Sequence, residues 1–278
     1  MQGLKTEKPV LVLGGYGKTG KRVIARLQDR GQGALVASRS TNPSFDWNKP
    51  DGWAELLSNV GAVYITYQPD LAVPGAVEAV GHFIDLALAA NVRRLVLLSG
   101  RGEDEAQRAE RVLQDSGADW TIIRASWFDQ NFSENFLEDG VRAGEVVLPA
   151  GTAAEPFIDA DDIAEIVVEA LSDPSHIRQL YEITGPRLMT FADAVSEIGA
   201  ASGRDIRFTE LAADDYRAQL VKHELPEDYV RLIMYLFTTV LDGRNAYVTN
   251  GVERVLGRPA RDFSDYAHDV AATGAWSA

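Results

Sequence analysis

The sequence predicts an α/β fold in which a doubly wound parallel sheet is accompanied by a small α/β C-terminal lobe. Residues 9–23 form a short apolar run that glycines end and a helical pattern follows, as in a buried parallel strand that turns into a helix. Short apolar runs then alternate with helical segments as far as Arg124, which favours right-handed βαβ connections. Beyond Asn135 the chain changes to short strands, turns and aromatic-rich helices.

Three glycines lie between the first predicted strand and the first helix. Gly14 permits a tight turn, Gly17 lets an anion approach the backbone, and Gly20 lets the helix pack against the strand. The start of the helix offers N–H groups and the positive end of its dipole to a phosphate. The segment therefore predicts a diphosphate cradle, made of Gly14, Tyr16, Gly17, Lys18, Thr19 and Gly20.

A nucleoside-triphosphate loop is the alternative for this segment. Its motif is Gly, four residues, Gly-Lys and then Ser or Thr for a magnesium ion. Residues 15–21 fit until Arg22, which stands where the hydroxyl belongs; starting from Lys18 instead places Val12 where the first glycine belongs. Because both registers fail, a dinucleotide in a Rossmann-type domain is favoured, and the three-and-three glycine spacing is common in short-chain reductases.

The second apolar run ends in Ser38, Arg39 and Ser40. An NAD-binding domain usually carries an acid at this point for the ribose, but no acid occurs between residues 31 and 43. Arg39 can stack on the adenine or pair with a 2′-phosphate, and the two serines add donors. The sequence therefore predicts NADP(H) rather than NAD as the cofactor.

Two further strand ends are predicted to contact the cofactor. The turn after strand 61–65 should lie along the adenine and ribose, because ligands bind at the carboxyl ends of parallel strands. Ser99, at the end of the strand that begins at Arg94, is the one candidate for a catalytic polar group near the nicotinamide; a capping hydroxyl is the alternative. The residues of these two turns are Tyr67, Gln68, Pro69, Ser99 and Gly100.

Aromatic side chains follow the strand 120–124. Trp127, Phe128, Asn131 and Phe132 are predicted to wall a substrate pocket beside the nicotinamide. Packing in the core below a lid is the alternative, above all for Phe132.

The domain boundary is placed at the change of pattern near residue 135. Residues 1–135 are predicted to bind NADP(H), and residues 136–278 to form most of the substrate-binding lobe. The helix 160–172 and the strand 179–184 are expected to return to the first domain. A short third strand is expected at residues 45–47.

Composition excludes several classes of protein. The net charge of −14 argues against nucleic acid or an anionic membrane as a partner. With no cysteine, disulfides and thiolate zinc sites are excluded, and the four histidines lack metal-ligand spacing. No apolar run approaches roughly 18 residues, and the N-terminus lacks the apolar core of a signal peptide. A cytoplasmic protein that binds a small molecule, with no metal, is expected; its oligomeric state stays open.

The glycine loop at 14–20, the segment at 120–124 and the aromatic residues that follow it resemble those of the NmrA-like atypical short-chain dehydrogenase/reductases. The branch that they resemble most closely contains the agroclavine dehydrogenases of ergot alkaloid biosynthesis. The resemblance implies an NADP(H)-binding Rossmann domain and a small C-terminal substrate lobe. Some members reduce small aromatic or alkaloid-like molecules, whereas others bind the dinucleotide as a redox sensor. The segments that carry the resemblance are GGYGKTG at 14–20, WTIIR at 120–124, the pairs 127–128 and 131–132, PFID at 156–159, DDIA at 161–164 and LGRP at 256–259.

One departure from short-chain reductases restricts the chemistry. Those enzymes use a tyrosine with a lysine four residues later, and none of the nine tyrosines has lysine at that distance. Reducing a ketone creates an alkoxide that needs a proton donor, whereas reducing an iminium ion only neutralises a cation. A conjugated quinone or enone lies between these cases, because its charge spreads.

The sequence therefore favours an NADPH-dependent reductase of a small hydrophobic, aromatic substrate, with a role in secondary metabolism. An iminium, quinone or enone is favoured over a simple ketone. The alternative hypothesis is a non-catalytic NADP(H)-binding sensor that regulates a partner protein, and the missing dyad favours it.

Overall fold

The computed structural model describes residues 8–277 of the 278-residue chain. Residues 1–7 lie outside this range, and they include the start of the segment in which no signal peptide is expected. The described residues form ten strands: β1 (Val10–Leu13), β2 (Ala34–Ala37), β3 (Ala62–Ile65), β4 (Arg94–Gly100), β5 (Asp119–Ala125), β6 (Glu145–Leu148), β7 (Ala154–Glu155), β8 (Gln179–Ile183), β9 (Met189–Thr190) and β10 (Arg207–Glu210).

Helices alternate with the strands from β1 to β6 and follow several of the later strands. Over the same residues they are α1 (Lys18–Asp29), α2 (Trp53–Leu56), α3 (Ala76–Ala89), α4 (Asp104–Asp115), α5 (Leu137–Ala143), α6 (Ala160–Ser172), α7 (Phe191–Ser202), α8 (Ala213–Lys222), α9 (Glu227–Tyr235), α10 (Gly251–Leu256) and α11 (Phe263–Ala272). None of the helices within residues 8–277 is both long enough and apolar enough to span a bilayer.

The central sheet has six strands in the order β2-β1-β3-β4-β5-β8. Every neighbouring pair is parallel, so all carboxyl ends lie along one edge. The chain moves from β1 to β2 on one side and then returns to β3 on the other. This reversal beside β1 is the switch point at which doubly wound sheets bind ligands. The predicted fold class is confirmed.

Helices cover both faces of this sheet. Val63 packs in an apolar cluster with residues of α3 and α4, whereas the next residue, Tyr64, donates a hydrogen bond to Thr19 of α1. Successive strand residues point to opposite faces, so α3 and α4 lie on one face and α1 on the other. Apolar side chains of β1, β3 and β4 are therefore buried on both sides, which explains their continuous apolar runs.

The predicted third strand at residues 45–47 is wrong. Phe45 and Trp47 are buried, but they pack their rings against each other and against Trp53 and Phe83 instead of pairing with the sheet. The Trp47 indole donates to the carbonyl of Thr66 at 3.0 Å. The apolar pattern of residues 45–47 reflects the burial of aromatic side chains, which occurs in packed loops as well as in strands.

The chain divides into two compact units. Among the described residues, the first contains 8–125, 160–183 and 251–257, and the second contains 126–159, 184–250 and 258–277. The helix α6 and the strand β8 therefore belong to the first unit, as does α10.

The second unit has two small sheets, with β10 parallel to β6 and β7 antiparallel to β9. The helix α7 begins in a capping box, in which the Thr190 hydroxyl accepts from the N–H of Asp193 and the Asp193 carboxylate accepts from Thr190. The core is aromatic: Phe132, Phe157 and Phe191 lie edge to face or tilted with centroids 5.0–6.0 Å apart.

Candidate functional site

The predicted cradle forms a tight corner at the carboxyl end of β1. Gly14 adopts a left-handed φ of 64°, its carbonyl accepts from the N–H of Gly17 at 2.8 Å, and α1 starts at the next residue. A Cβ on Gly20 would collide with the Gly14 carbonyl oxygen, and one on Gly17 would lie 3.1 Å from the same atom. The close approach of the helix to the loop requires glycine at position 20 and leaves little space for a side chain at position 17.

The start of α1 fits a bound diphosphate. Gly17 occupies the N-cap position and supplies no side-chain hydrogen bond to the first turn, which holds no acid. The first N–H groups of a helix have no acceptors within the helix, and together with the dipole they favour an anion. The absence of a Cβ at Gly17 leaves room for that anion against the backbone. The residues present therefore suit a dinucleotide.

Three side chains of α1 make hydrogen bonds within the protein. The Thr19 side chain is buried, and its hydroxyl accepts from the Tyr64 hydroxyl at 3.0 Å. Arg22, which breaks the triphosphate motif, donates to Asp161 of α6 at 3.0 Å, and Arg26 donates to the same carboxylate at 2.6 Å. Arg22 thus joins α1 to α6 by an ion pair.

The end of β2 lies beside the cradle, because the Gly14 N–H donates to the carbonyl of Ala37 at 2.9 Å. The following residues form an ordered turn in which Thr41 accepts from the N–H of Ser38 and donates to its carbonyl. The Ser38 hydroxyl lies 3.0 Å from that of Ser40. Arg39 stands exposed on this turn. The structure thus brings the three predicted 2′-phosphate residues to the same edge as the cradle, where their role stays a prediction.

The turn after β3 also reaches the cradle. The amide nitrogen Nε2 of Gln68 lies 3.5 Å from the place a Cβ would take on Gly17. Tyr67 packs its ring on Trp47 with the centroids 4.7 Å apart, which fixes the turn. Pro69 is exposed. Gln68 thus lies beside the cradle, and the contact of this group with a cofactor stays a prediction.

Ser99 belongs to a buried ionic network. Its hydroxyl donates to Glu110 Oε1 at 2.6 Å. Arg124 lies opposite Ser99 in the β4–β5 register and donates two hydrogen bonds to the same carboxylate, at 2.9 and 2.5 Å. Arg124 also faces Glu182 at 3.6 Å, and Arg101 donates to Glu182 at 2.9 Å. Glu110 raises the pKa of the Arg124 guanidinium. Because Ser99 gives its one proton to a carboxylate, this arrangement does not suit it as a proton donor.

Sequence reasoning missed two further acids at the carboxyl edge of the sheet, Asp70 and Glu103. Glu103 is buried at the start of α4, and a Cβ on Gly100 would collide with its carboxyl oxygens. Asp70 accepts from the N–H of Ala72 at 2.8 Å. Burial, and then the negative charges of Asp70 and Glu110, hold the pKa of Glu103 well above its usual range. The sequence signal that could have pointed to these acids is their position in the turns that follow β3 and β4.

The tyrosines of the first unit do not replace the missing dyad. Burial raises the pKa of Tyr64, Tyr67 and Tyr181, which is the opposite of what a neighbouring lysine does to a catalytic phenol. Tyr16, in the cradle, is 65% exposed.

The predicted pocket residues lie in the second unit, and one of them has to be corrected. Phe132 is fully buried, and its carbonyl accepts from the indole of Trp276 at 2.8 Å, so it belongs to the core. Trp127, Phe128 and Asn131 are half-buried. Trp127 leans on Phe191 with the ring centroids 5.3 Å apart. These three keep surface for a ligand, and their contact with substrate stays a prediction.

Residues 8–277 contain no group of three or more His, Asp or Glu side chains placed to hold a metal ion.

Comparisons with known proteins show which family this chain is similar to. A family model described as NAD(P)H-binding matches residues 14–174, from the cradle to the end of α6. Festuclavine dehydrogenase of Aspergillus fumigatus is 30% identical, over 93% of this chain and 96% of that protein. Agroclavine dehydrogenase of Claviceps fusiformis is 29% identical, over 94% of this chain and 96% of that protein.

The fold has solved counterparts. The Escherichia coli NADPH-dependent quinone oxidoreductase, in complex with NADPH, superimposes with a TM-score of 0.78 over 94% of this chain and 99% of that chain, at 19% identity. The family model covers more than half of the chain, and the predicted resemblance to the agroclavine dehydrogenases is confirmed. The chain therefore belongs to the NAD(P)H-binding family, as an NmrA-like oxidoreductase.

Proposed function

We propose that the protein is an NADPH-dependent reductase that transfers hydride to a small hydrophobic, aromatic substrate. An iminium ion, a quinone or an enone fits better than a simple ketone. The observation that carries this proposal is the coexistence of a side-chain-free diphosphate cradle at Gly17 and Gly20 with tyrosines of the first unit whose pKa burial raises. The cofactor can be held, but no acidified phenol stands ready for an alkoxide.

Each part of the first unit has a task in this proposal. The backbone of residues 14–20 holds the diphosphate, and Gln68 closes over it. Arg39 and its neighbouring serines hold the 2′-phosphate. When bound, NADPH supplies the hydride. The protein has to orient the acceptor carbon about 3–3.5 Å from the hydride and exclude water.

The names of relatives and neighbours support the substrate class. Two relatives over nearly the whole chain are clavine dehydrogenases, another, from Xenophilus azovorans, is an NAD(P)H azoreductase, and the fold neighbour reduces quinones. In the second unit, Trp127 and Phe128 are half-buried rings that can stack on a flat acceptor. We propose them, with Asn131, as substrate contacts.

The decisive assay follows NADPH oxidation with a panel of quinones, cyclic iminium ions, enones and simple ketones. We expect turnover with the first three classes and little with the ketones. Cofactor binding is measured in parallel by fluorescence. Tight binding of NADPH with no turnover of any class would support the alternative function, a non-catalytic redox sensor, which the missing dyad favours.

Replacing Arg39 by alanine should weaken NADPH binding about 10- to 100-fold, since a charge-assisted pair contributes roughly 1.5–3 kcal/mol. NADH binding should change less than threefold, because NADH has no 2′-phosphate. Arg93→Ala is the control: this arginine is also exposed but lies before β4, and its loss should leave both affinities unchanged. Equal losses of NADPH and NADH affinity in the Arg39 variant would show that this residue does not hold the 2′-phosphate.

A further inference from the structure

One segment of the second unit, residues 126–133, carries all three side chains proposed as substrate contacts; we name it the substrate loop. It follows β5 and contains a 3₁₀ turn, Asp129–Phe132. The proposed contacts are half-buried, whereas the other side chains of the loop up to the end of the turn are buried: Ser126, Asp129, Gln130 and Phe132. Hydrogen bonds made on the buried side therefore decide how the half-buried side chains are presented.

The main chain of the first part of the loop is held by Ile158. The N–H of Ile158 donates to the carbonyl of Trp127 at 2.8 Å, and the N–H of Asp129 donates to the carbonyl of Ile158 at 3.0 Å. Phe128 and Ile158 thereby form a parallel bridge. These bonds fix the path of the main chain as far as Asp129, two residues before Asn131.

A buried carboxylate holds the beginning of the turn. One oxygen of Asp159 accepts from the side-chain amide of Gln130 at 2.7 Å, and the other accepts from Arg261 at 2.8 Å. Asp159 and Gln130 are fully buried, and Arg261 is half-buried. Burying a charge costs desolvation free energy that an apolar contact does not, but hydrogen bonds to a carboxylate are directional. Asp159 therefore fixes the turn relative to Arg261.

The C-terminal segment holds the end of the turn. The hydroxyl of Tyr266, on α11, donates to the Ser133 hydroxyl at 2.7 Å, and the indole of Trp276 donates to the Phe132 carbonyl at 2.8 Å. Both aromatic side chains are fully buried, and their rings lie edge to face with the centroids 6.0 Å apart. The turn is thus held by hydrogen bonds on both sides of Asn131.

We infer that Arg261, Tyr266 and Trp276 are positioning residues that orient the substrate loop, so that a bound substrate presents one face of its acceptor carbon to the hydride. This inference rests on the proposed reductase function. Hydride transfer needs the reacting atoms about 3–3.5 Å apart, and a displacement of about 1 Å can cost roughly 100-fold in rate. The three residues act through the loop and do not have to touch the substrate.

The test uses Tyr266→Phe, which removes the hydroxyl that binds Ser133 and keeps the ring in the core. The substrate is a cyclic iminium ion whose C=N carbon carries an alkyl group. Hydride forms the new C–H bond, the C=N electron pair moves onto nitrogen, and the carbon becomes a stereocentre. We expect kcat to fall about threefold to tenfold, the change in population that one hydrogen bond controls. The enantiomeric excess of the amine should fall as well, because the loop then presents the substrate in more than one orientation.

The enantiomeric excess separates positioning from a merely structural role. A smaller fraction of folded enzyme lowers kcat but leaves KM and the enantiomeric excess as in the wild type. The Kd for NADPH should stay within threefold in Tyr266→Phe, since the residues proposed to hold the cofactor lie in the first unit.

Thr209→Val is the matched control. The Thr209 hydroxyl donates to Glu145 at 2.6 Å between β10 and β6, so its loss removes a hydrogen bond of similar length in the small sheet instead of at the substrate loop. Neither kcat nor the enantiomeric excess should change. A second variant, Arg261→Met, acts at the other end of the turn and should lower the enantiomeric excess as Tyr266→Phe does. Arg261→Lys, which keeps a charge for Asp159, should restore part of it.

A further readout needs neither cofactor nor substrate. Amide hydrogen exchange of residues 128–133 in the cofactor-free protein should be about threefold to tenfold faster in Tyr266→Phe than in the wild type. Unchanged exchange of the loop, a racemic amine from the wild type, or a wild-type enantiomeric excess in both variants would overturn the assignment, while wild-type turnover still supports the reductase. A wild type that reduces no iminium ion, quinone or enone would refute the reductase itself, and the positioning role with it.

Discussion

Gly17→Val is expected to abolish binding of NADPH and NADH alike. The Cβ position of Gly17 lies 3.1 Å from the Gly14 carbonyl oxygen, so the loop can accept a Cβ with a shift of a few tenths of an ångström. The branched side chain, however, fills the space above the helix start that the diphosphate needs. We expect Kd to rise at least 100-fold, or about 2.7 kcal/mol, as measured by NADPH fluorescence titration.

The control for this loss is Gly33→Ala. Gly33 precedes β2 at the amino end of the sheet, where its carbonyl accepts from the N–H of Val10, and an added Cβ would lie 3.3 Å from Pro9. It tests a comparably tight glycine away from the cradle, and cofactor affinity should be unchanged. Thermal unfolding of both variants separates lost binding from lost fold. A Gly17→Val protein that binds NADPH as the wild type does would place the diphosphate elsewhere.

The first part of the fold could be predicted from the sequence because its signals are local. The corner at Gly14 and the packing of Gly20 need glycine for reasons that hold within a few residues. The apolar runs of β1, β3 and β4 reflect burial on both faces of the sheet. Residues 45–47 misled because aromatic rings packed against α2 and α3 are as apolar as a strand.

The carboxyl end of β4 could not be predicted in the same way. Ser99 was expected to face the nicotinamide, but its proton goes to Glu110, one helix later. Asp70 and Glu103 influence each other's pKa from the turns after β3 and β4, two strands that the register of Ile65 with Leu97 sets side by side. Phe132 was assigned to a pocket, since an aromatic residue after a strand is equally compatible with a core. Such long-range partners are set by tertiary packing.

The sheet edge also depends on an ion pair whose loss should destabilise the protein. Glu110 is buried and accepts from Ser99 and from two nitrogens of Arg124. Glu110→Ala removes the carboxylate and leaves the half-buried guanidinium with only Glu182, at 3.6 Å. Breaking one partner of a buried pair costs about 3–5 kcal/mol. We expect the free energy of unfolding to fall by about 3 kcal/mol in urea titration, and Tm by roughly 6–12 °C.

Replacing both partners distinguishes a stranded charge from a lost attraction. In Glu110→Met/Arg124→Met the pair becomes apolar, and most of the lost stability should return, because apolar residues of similar volume can replace a buried pair at little cost. Glu105→Ala on the same helix removes an exposed pair with Arg108 and should cost less than about 0.5 kcal/mol. A double variant as unstable as Glu110→Ala would mean that the ionic contact itself, rather than the desolvation of an unpaired guanidinium, stabilises the join between β4, β5 and α4.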